Sequence, residues 1–365
     1  MSRAYNFSAG PGTLPEPVLA ALQDALLEFS SCRAGIMEIS HRSKPFEGVL
    51  ASAKARLSRV LGVPDDYSVL FLQGGASLQF YQLALNLALP GEATDFIDTG
   101  TWASKALAEA KRITDAKAVW SSKATTYDRV PAPGAVQFRD EAVWAHYTTN
   151  NTIYGTQSKA PPVTDKRLLA DMSSDIASRP IDVARHDLIY AGAQKNLGPS
   201  GVVAVILSPW AVARSKEVGK ARGGLPSMLD YAVAVENDSM YNTPNTFGIF
   251  ALEQVLAWVE GQGGLPAIAA RVQARADRLY AQLDSSAFWQ PHAQPDSRSS
   301  MNVTFRLQNS ELEGTFIKEA DAAGLMELKG HRSVGGMRAS LYNALPDEAV
   351  AALISFMQDF EAKHG

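Results

Sequence analysis

The sequence predicts an open α/β sheet, mostly parallel and covered by helices, followed by a smaller α+β domain. Three observations carry that expectation: seven apolar strand-like runs, helix-period segments after several of them, and a change of texture near Phe247. With 365 residues, 46% of them hydrophobic and 20% charged, the chain is long enough for a sizeable core and two domains.

In chain order, helical periodicity is expected at residues 15–29 and again at 47–61. The run SVLFLQ (68–73) reads as a buried strand that breaks at Gly74-Gly75 and passes into the helical pattern ASLQFYQLALNLAL. Further strands are expected at DFIDTG, AKAVW, AVWAHYTT, RLLADMSS, DLIYAGA and VVAVILS. Alternation of this kind favours a parallel sheet with helices on its faces. After Phe247 come long helical stretches, the strand MNVTFRL, a helix at 311–323, the segment GMRASLYNAL and a last helix at 346–364. A glycine-rich run at 261–264 marks the expected boundary between a large domain at 16–262 and a small one at 263–365. Residues 1–15 are expected to associate with the small domain.

Lys plus Arg number 34 against 38 Asp plus Glu, so the net charge is −4 and no global footprint for nucleic acid or an anionic membrane exists. The start MSRAYNFSAGPGTLP lacks the charged-then-apolar pattern of a secretory signal, and Pro or charge interrupts each apolar run. The single cysteine, Cys32, can form neither an internal disulfide nor a thiolate metal cage. The expected context is therefore soluble and cytoplasmic, with no metal.

Ligands of open α/β sheets sit beyond the carboxyl ends of the strands, which selects the residues of interest. Asp171 stands where RLLADMSS runs out, and Lys195 follows DLIYAGAQ. Gly74, Gly75, Ala76 and Ser77 open a helix whose free N–H groups favour an anion such as phosphate. Trp102, in DTGTWASKA, offers a flat aromatic surface. Pyridoxal phosphate asks for these four things: a lysine amine for a Schiff base, a carboxylate beside its pyridine nitrogen, a phosphate cradle and a ring to stack on. Each residue alone has a blander explanation, as a solvated lysine, a turn aspartate, a plain helix start or a core tryptophan. Joint placement at strand ends is what favours the cofactor.

The run ADMSSDIASRPIDVARHDLIYAGAQKNLGPSGV, together with NFSAGPGTLP, EISHRS, MYNTPNTF and KGHRSVGGMRASLYNA, resembles the phosphoserine aminotransferase family over essentially the whole chain. That family belongs to the class V, fold-type I pyridoxal phosphate enzymes, with a seven-stranded, mostly parallel sheet in its large domain. The resemblance implies that Lys195 bonds the cofactor and then shuttles a proton, which requires a lowered pKa. It further implies that Asp171 pairs with the pyridinium and that Trp102 stacks on the ring. Ala76, Ser77 and Gln194 would hold the phosphate, joined by Asn242 and Thr243 of a neighbouring subunit, with Thr152 near the cofactor hydroxyl. A homodimer with composite sites follows.

By the same resemblance, Arg338 would hold the substrate α-carboxylate, and His41, Arg42, His331 and Arg332 the distal phosphate or γ-carboxylate, some of them from the second subunit. Arginine suits both anions because its planar fork binds either group bidentately. Two positions depart from a common family pattern: Ser77 stands where some members carry arginine, and Asn151 where an acidic residue is frequent. The expected reaction passes an amino group from glutamate to 3-phosphohydroxypyruvate, giving phosphoserine and 2-oxoglutarate in serine biosynthesis. A related phosphorylated substrate of pyridoxine biosynthesis is neither supported nor excluded. The alternatives are another class V enzyme, such as a cysteine desulfurase or an alanine–glyoxylate aminotransferase, and a non-catalytic binding protein in which Lys195 is structural.

Overall fold

The computed structural model describes residues 3–365; residues 1 and 2 of the expected N-terminal segment lie outside them. Seven strands build the main sheet: β1 (Ser68–Leu72), β2 (Ala93–Asp98), β3 (Asp115–Ser121), β4 (Trp144–Thr148), β5 (Arg167–Asp171), β6 (Leu188–Gly192) and β7 (Val203–Leu207). Their spatial order is β1-β7-β6-β5-β4-β2-β3. β7 runs antiparallel to both its neighbours, and the remaining pairs are parallel. Only residues 193–202 join β6 to β7, too few for the crossover that a parallel return demands.

Residues alternate across the sheet, so each strand feeds two cores. Val69, Phe71, Ala170 and Ile189 face one side, packed by helices Glu16–Leu27, Lys44–Leu61 and Thr246–Gly261. Leu70, Leu169, Leu188 and Tyr190 face the other, covered by Gly75–Leu87, Thr101–Ala110 and Pro209–Ala221. Burial of both faces explains why the strands read as continuous apolar runs. No helix separates β4 from β5 or β5 from β6; long turns containing single 3-10 turns or short hairpins do so instead.

The C-terminal part holds a three-stranded antiparallel sheet made of β8 (Trp289–Pro291), β9 (Asn302–Leu307) and β10 (Met337–Ser340), with β9 central. Its core gathers Trp289, Phe305, Phe316 and Phe360. Near the N-terminus, Tyr5–Asn6 pairs in parallel with Leu325–Met326, and Phe7 enters the same core. Helix Gly264–Leu283 spans both parts: Leu265, Ile268 and Val272 pack in the large core, Leu279 and Leu283 in the small one. The last helix, Asp347–His364, carries Asp347 and Glu348 in its first turn and Lys363 and His364 in its last, which complements its dipole. Among the described residues no helix is long and apolar enough to cross a membrane.

Candidate active site

Lys195 sits three residues past the end of β6. The glycine-rich turn at the N-terminus wraps it: Gly12 N donates to Gln194 O at 2.7 Å, and a Cβ on Gly12 would stand 3.0 Å from Lys195 O and 2.8 Å from Tyr342 Cδ2. Only glycine permits that approach. Lys195 Nζ donates to Thr152 Oγ1 at 2.8 Å. The side chain touches the cavity, yet protein surrounds its amine, and this burial lowers its pKa to about 8; Arg338 acts the same way and Asp171 opposes.

Asp171 ends β5, the strand beside β6, and is 4% exposed. Its Oδ1 accepts from Ser173 N at 2.9 Å. Burial raises its pKa, while the Ser173 hydrogen bonds and the Lys195 charge pull it down. A buried carboxylate of this kind requires a cationic partner.

Beyond β1, Gly74 (φ 84°) and Gly75 (φ 61°) turn the chain into helix Gly75–Leu87, which has no side-chain cap. The first-turn N–H groups of Ala76 and Ser77 thus remain open at the cavity wall. Trp102 lies in the first turn of Thr101–Ala110, which is tied to the sheet where Ser104 Oγ donates to Asp98 Oδ1 at 2.6 Å. Trp102 Nε1 and Thr148 Oγ1 are buried and have no partner among the described residues. Unpartnered groups of that kind, beside uncapped helix amides, fit a planar anionic group carrying ring heteroatoms.

Residues of the C-terminal part complete the cavity wall. Arg338, on β10, donates from Nη1 to Thr152 O at 3.3 Å, and burial lowers its pKa. His331 is held below the usual histidine range by burial and by the charges of Arg338, Arg332 and Lys105. The resulting space is about 390 Å³ and is walled by Ala76, Ser77, Trp102, Thr152, Asp171, Gln194, Lys195, His331 and Arg338. A larger cavity of about 540 Å³, lined by prolines at 131, 133, 161 and 162, shares only Thr148 with it and contains none of those groups.

Five expected residues stand outside this space in the single chain. Arg332 is exposed beside His331, while His41 and Arg42 lie on the turn before helix Lys44–Leu61. Asn242 lines a separate cavity of about 220 Å³ with Gln73 and Gly74, and Thr243 O accepts from Gln73 Nε2 at 3.0 Å. Conversely, Ala9, Gly10, Phe80, Thr148, Asn150, Ile153, Ser173 and Ser174 line the cavity without having been singled out. Ser173 and Ser174 could have been read from their place after Asp171; the N-terminal turn gives no local signal, because only tertiary packing brings it there.

The Aminotransferase class-V family profile matches residues 4–353. The phosphoserine aminotransferase of Geobacillus kaustophilus is 52% identical over 364 residues, covering 100% of this chain and 99% of that protein. The chain belongs to the phosphoserine aminotransferases of class V. Among solved members of the family, the enzyme from Bacillus circulans subsp. alkalophilus superposes with a TM-score of 0.95 at 46% identity, covering 100% of this chain and 99% of that one. A pyridoxal phosphate-bound member from Trichomonas vaginalis superposes with a TM-score of 0.89 at 34% identity, covering 98% and 100%. Membership of the family thus agrees with the seven-stranded, mostly parallel sheet found here.

Proposed function

We infer that the protein is a pyridoxal phosphate-dependent phosphoserine aminotransferase of serine biosynthesis, passing an amino group between glutamate and 3-phosphohydroxypyruvate. The observation that carries the reading is one cavity that joins a buried amine near neutral pKa, a buried carboxylate, an uncapped helix start, the Arg338 guanidinium and the His331 ring. The full-length likeness to phosphoserine aminotransferases supports it.

Pyridoxal phosphate, when bound, supplies an aldehyde carbon that joins amines and a ring that draws electrons from the substrate α-carbon. Ala76, Ser77 and Gln194 would hold its phosphate, Asp171 would pair with its ring nitrogen, Trp102 would cover the ring, and Thr152 would stand beside its hydroxyl. Lys195 Nζ is suited to take the α-proton and return it, because its lowered pKa leaves an unprotonated amine accessible near neutrality. Thr152 Oγ1 and the Thr152 carbonyl hold Lys195 and Arg338 on one side of the cavity. Arg338 would bind the α-carboxylate common to both amino acids, and His331 with Arg332 the distal anion. Cys32 is not among the cavity residues, which disfavours a desulfurase.

His41, Arg42, Asn242 and Thr243 complete this reading only from a second copy, so the active form is a homodimer with composite sites, placed in the cytoplasm. The chain then divides at 1–15, 16–262 and 263–365, with the first segment carried by the small domain; the pairing of Tyr5–Asn6 with Leu325–Met326 supports that assignment. Assay of purified protein tests the reaction: phosphoserine with 2-oxoglutarate should far outperform serine or alanine. Equal rates with unphosphorylated serine would defeat the assignment. Mixing two inactive variants, Lys195→Ala and Arg42→Ala, should restore part of the activity if sites are shared between subunits, and no recovery would refute composite sites.

A further inference from the structure

Behind Asp171, on the sheet face away from the N-terminal helices, lies a polar pair that the chemistry above does not use. His146 of β4 is 0% exposed, and its Nε2 stands 3.0 Å from the Tyr190 hydroxyl on β6. The two rings stack at 5.9 Å with 22° between planes, and Phe96 and Phe80 close the sides at 5.0 and 6.1 Å. Tyr190 is the register partner of Asp171 in the next strand, so both side chains leave the same face.

His146 Nδ1 is buried with no partner among the described residues. That fact decides the direction of the chain of hydrogen bonds. A proton on Nδ1 would leave an orphaned N–H donor in the core, which costs more than an idle lone pair. The single proton of the neutral ring therefore sits on Nε2 and is donated to the Tyr190 oxygen. Neutrality of the ring is secured by burial, which lowers its pKa to about 3. The Tyr190 hydrogen is then free to point elsewhere, and the Asp171 carboxylate, one strand across on the same face, is the acceptor toward which it can turn. Burial and that carboxylate together raise the tyrosine pKa well above its ordinary value, so the hydroxyl remains a donor.

We propose that His146 is a positioning residue for the reaction: its Nε2–H turns the Tyr190 hydroxyl toward Asp171, adding a donor to those that Ser173 supplies. Donors lower the basicity of a carboxylate. A less basic Asp171 leaves a shared proton on the cofactor's ring nitrogen, where it makes the ring an electron sink, in place of drawing it onto the carboxyl group. The proposal rests on the cofactor reading above. Wild-type protein that takes up pyridoxal phosphate and transaminates phosphoserine establishes that reading before any variant is compared.

The test uses Tyr190→Phe, His146→Phe, His146→Gln and the double variant Tyr190→Phe with His146→Phe, each loaded with ring-¹⁵N-labelled cofactor. Tyr190→Phe should move the ring nitrogen resonance toward the unprotonated position and lower kcat by about tenfold, the effect of one buried hydrogen bond to a charged group. His146→Phe should move both readings the same way. His146→Gln, which keeps an N–H donor near the Nε2 position, should recover most of the loss. The double variant should match Tyr190→Phe, since the histidine acts through the tyrosine. Independent, multiplying losses in the double variant, or a nitrogen resonance unmoved by Tyr190→Phe, would overturn the proposal. Should His146→Phe fail to fold, Tyr190→Phe and His146→Gln still decide it, the latter by matching wild type or falling as far as the former.

Discussion

Replacing Lys195 with methionine in the cofactor-free protein should change stability in a way that depends on pH. Burial lowers the Lys195 pKa from 10.5 to about 8 in the fold. Between those values the folded chain binds fewer protons than the unfolded one, so the amine opposes folding, fully below about pH 8 and not at all above about pH 10.5. At 1.36 kcal/mol for each pKa unit, the penalty is about 3 kcal/mol at pH 7 and about 1 kcal/mol at pH 10. Methionine keeps the length of the side chain and carries no proton. Denaturant unfolding of both proteins at pH 7 and pH 10 should therefore show the variant gaining about 2.5 kcal/mol over wild type at the lower pH relative to the higher. Taking the difference between two pH values cancels the changes in packing and in the Thr152 contact. A stability difference independent of pH would refute the reasoning, because it would mean that the amine is hydrated as in the unfolded chain.

Asp171→Asn should retain the fold and lose at least about 100-fold in kcat, since breaking a buried charge pair costs on the order of 3 kcal/mol or more; single-turnover absorbance with phosphoserine measures it. Arg338→Lys should raise KM for phosphoserine and glutamate alike, by about tenfold each, because an ammonium cannot replace the planar fork on a carboxylate that both substrates carry. Gly12→Ala should weaken cofactor retention, since the new methyl group would stand 2.8 Å from Tyr342 Cδ2 and 3.0 Å from Lys195 O; overpacking of that size costs about 1–3 kcal/mol and is read by cofactor titration.

Much of the fold was legible because both faces of the sheet are buried, so each strand is an unbroken apolar run such as LIYAG or VAVIL. The direction of β7 was not legible in that way, as its composition matches that of the strands that pair in parallel; only the shortness of 193–202 reveals the reversal. Lys195, Asp171, the turn at Gly75 and Trp102 could be found because each stands within a few residues of a strand end, where the topology places ligands. Gly10 and Gly12 could not be assigned a contact with Lys195, since that proximity arises only when the N-terminal segment crosses between the two cores. His146 and Tyr190 stand within apolar strand runs, and their polarity becomes meaningful only once the register sets Tyr190 opposite Asp171.

The most direct measurement is to load the protein with pyridoxal phosphate, reduce it with borohydride and map the labelled peptide by mass spectrometry. A single phosphopyridoxyl group on Lys195 is the predicted result. A label spread over surface lysines, or absent while Lys195 stays unmodified, would contradict the assignment on which the whole mechanism stands.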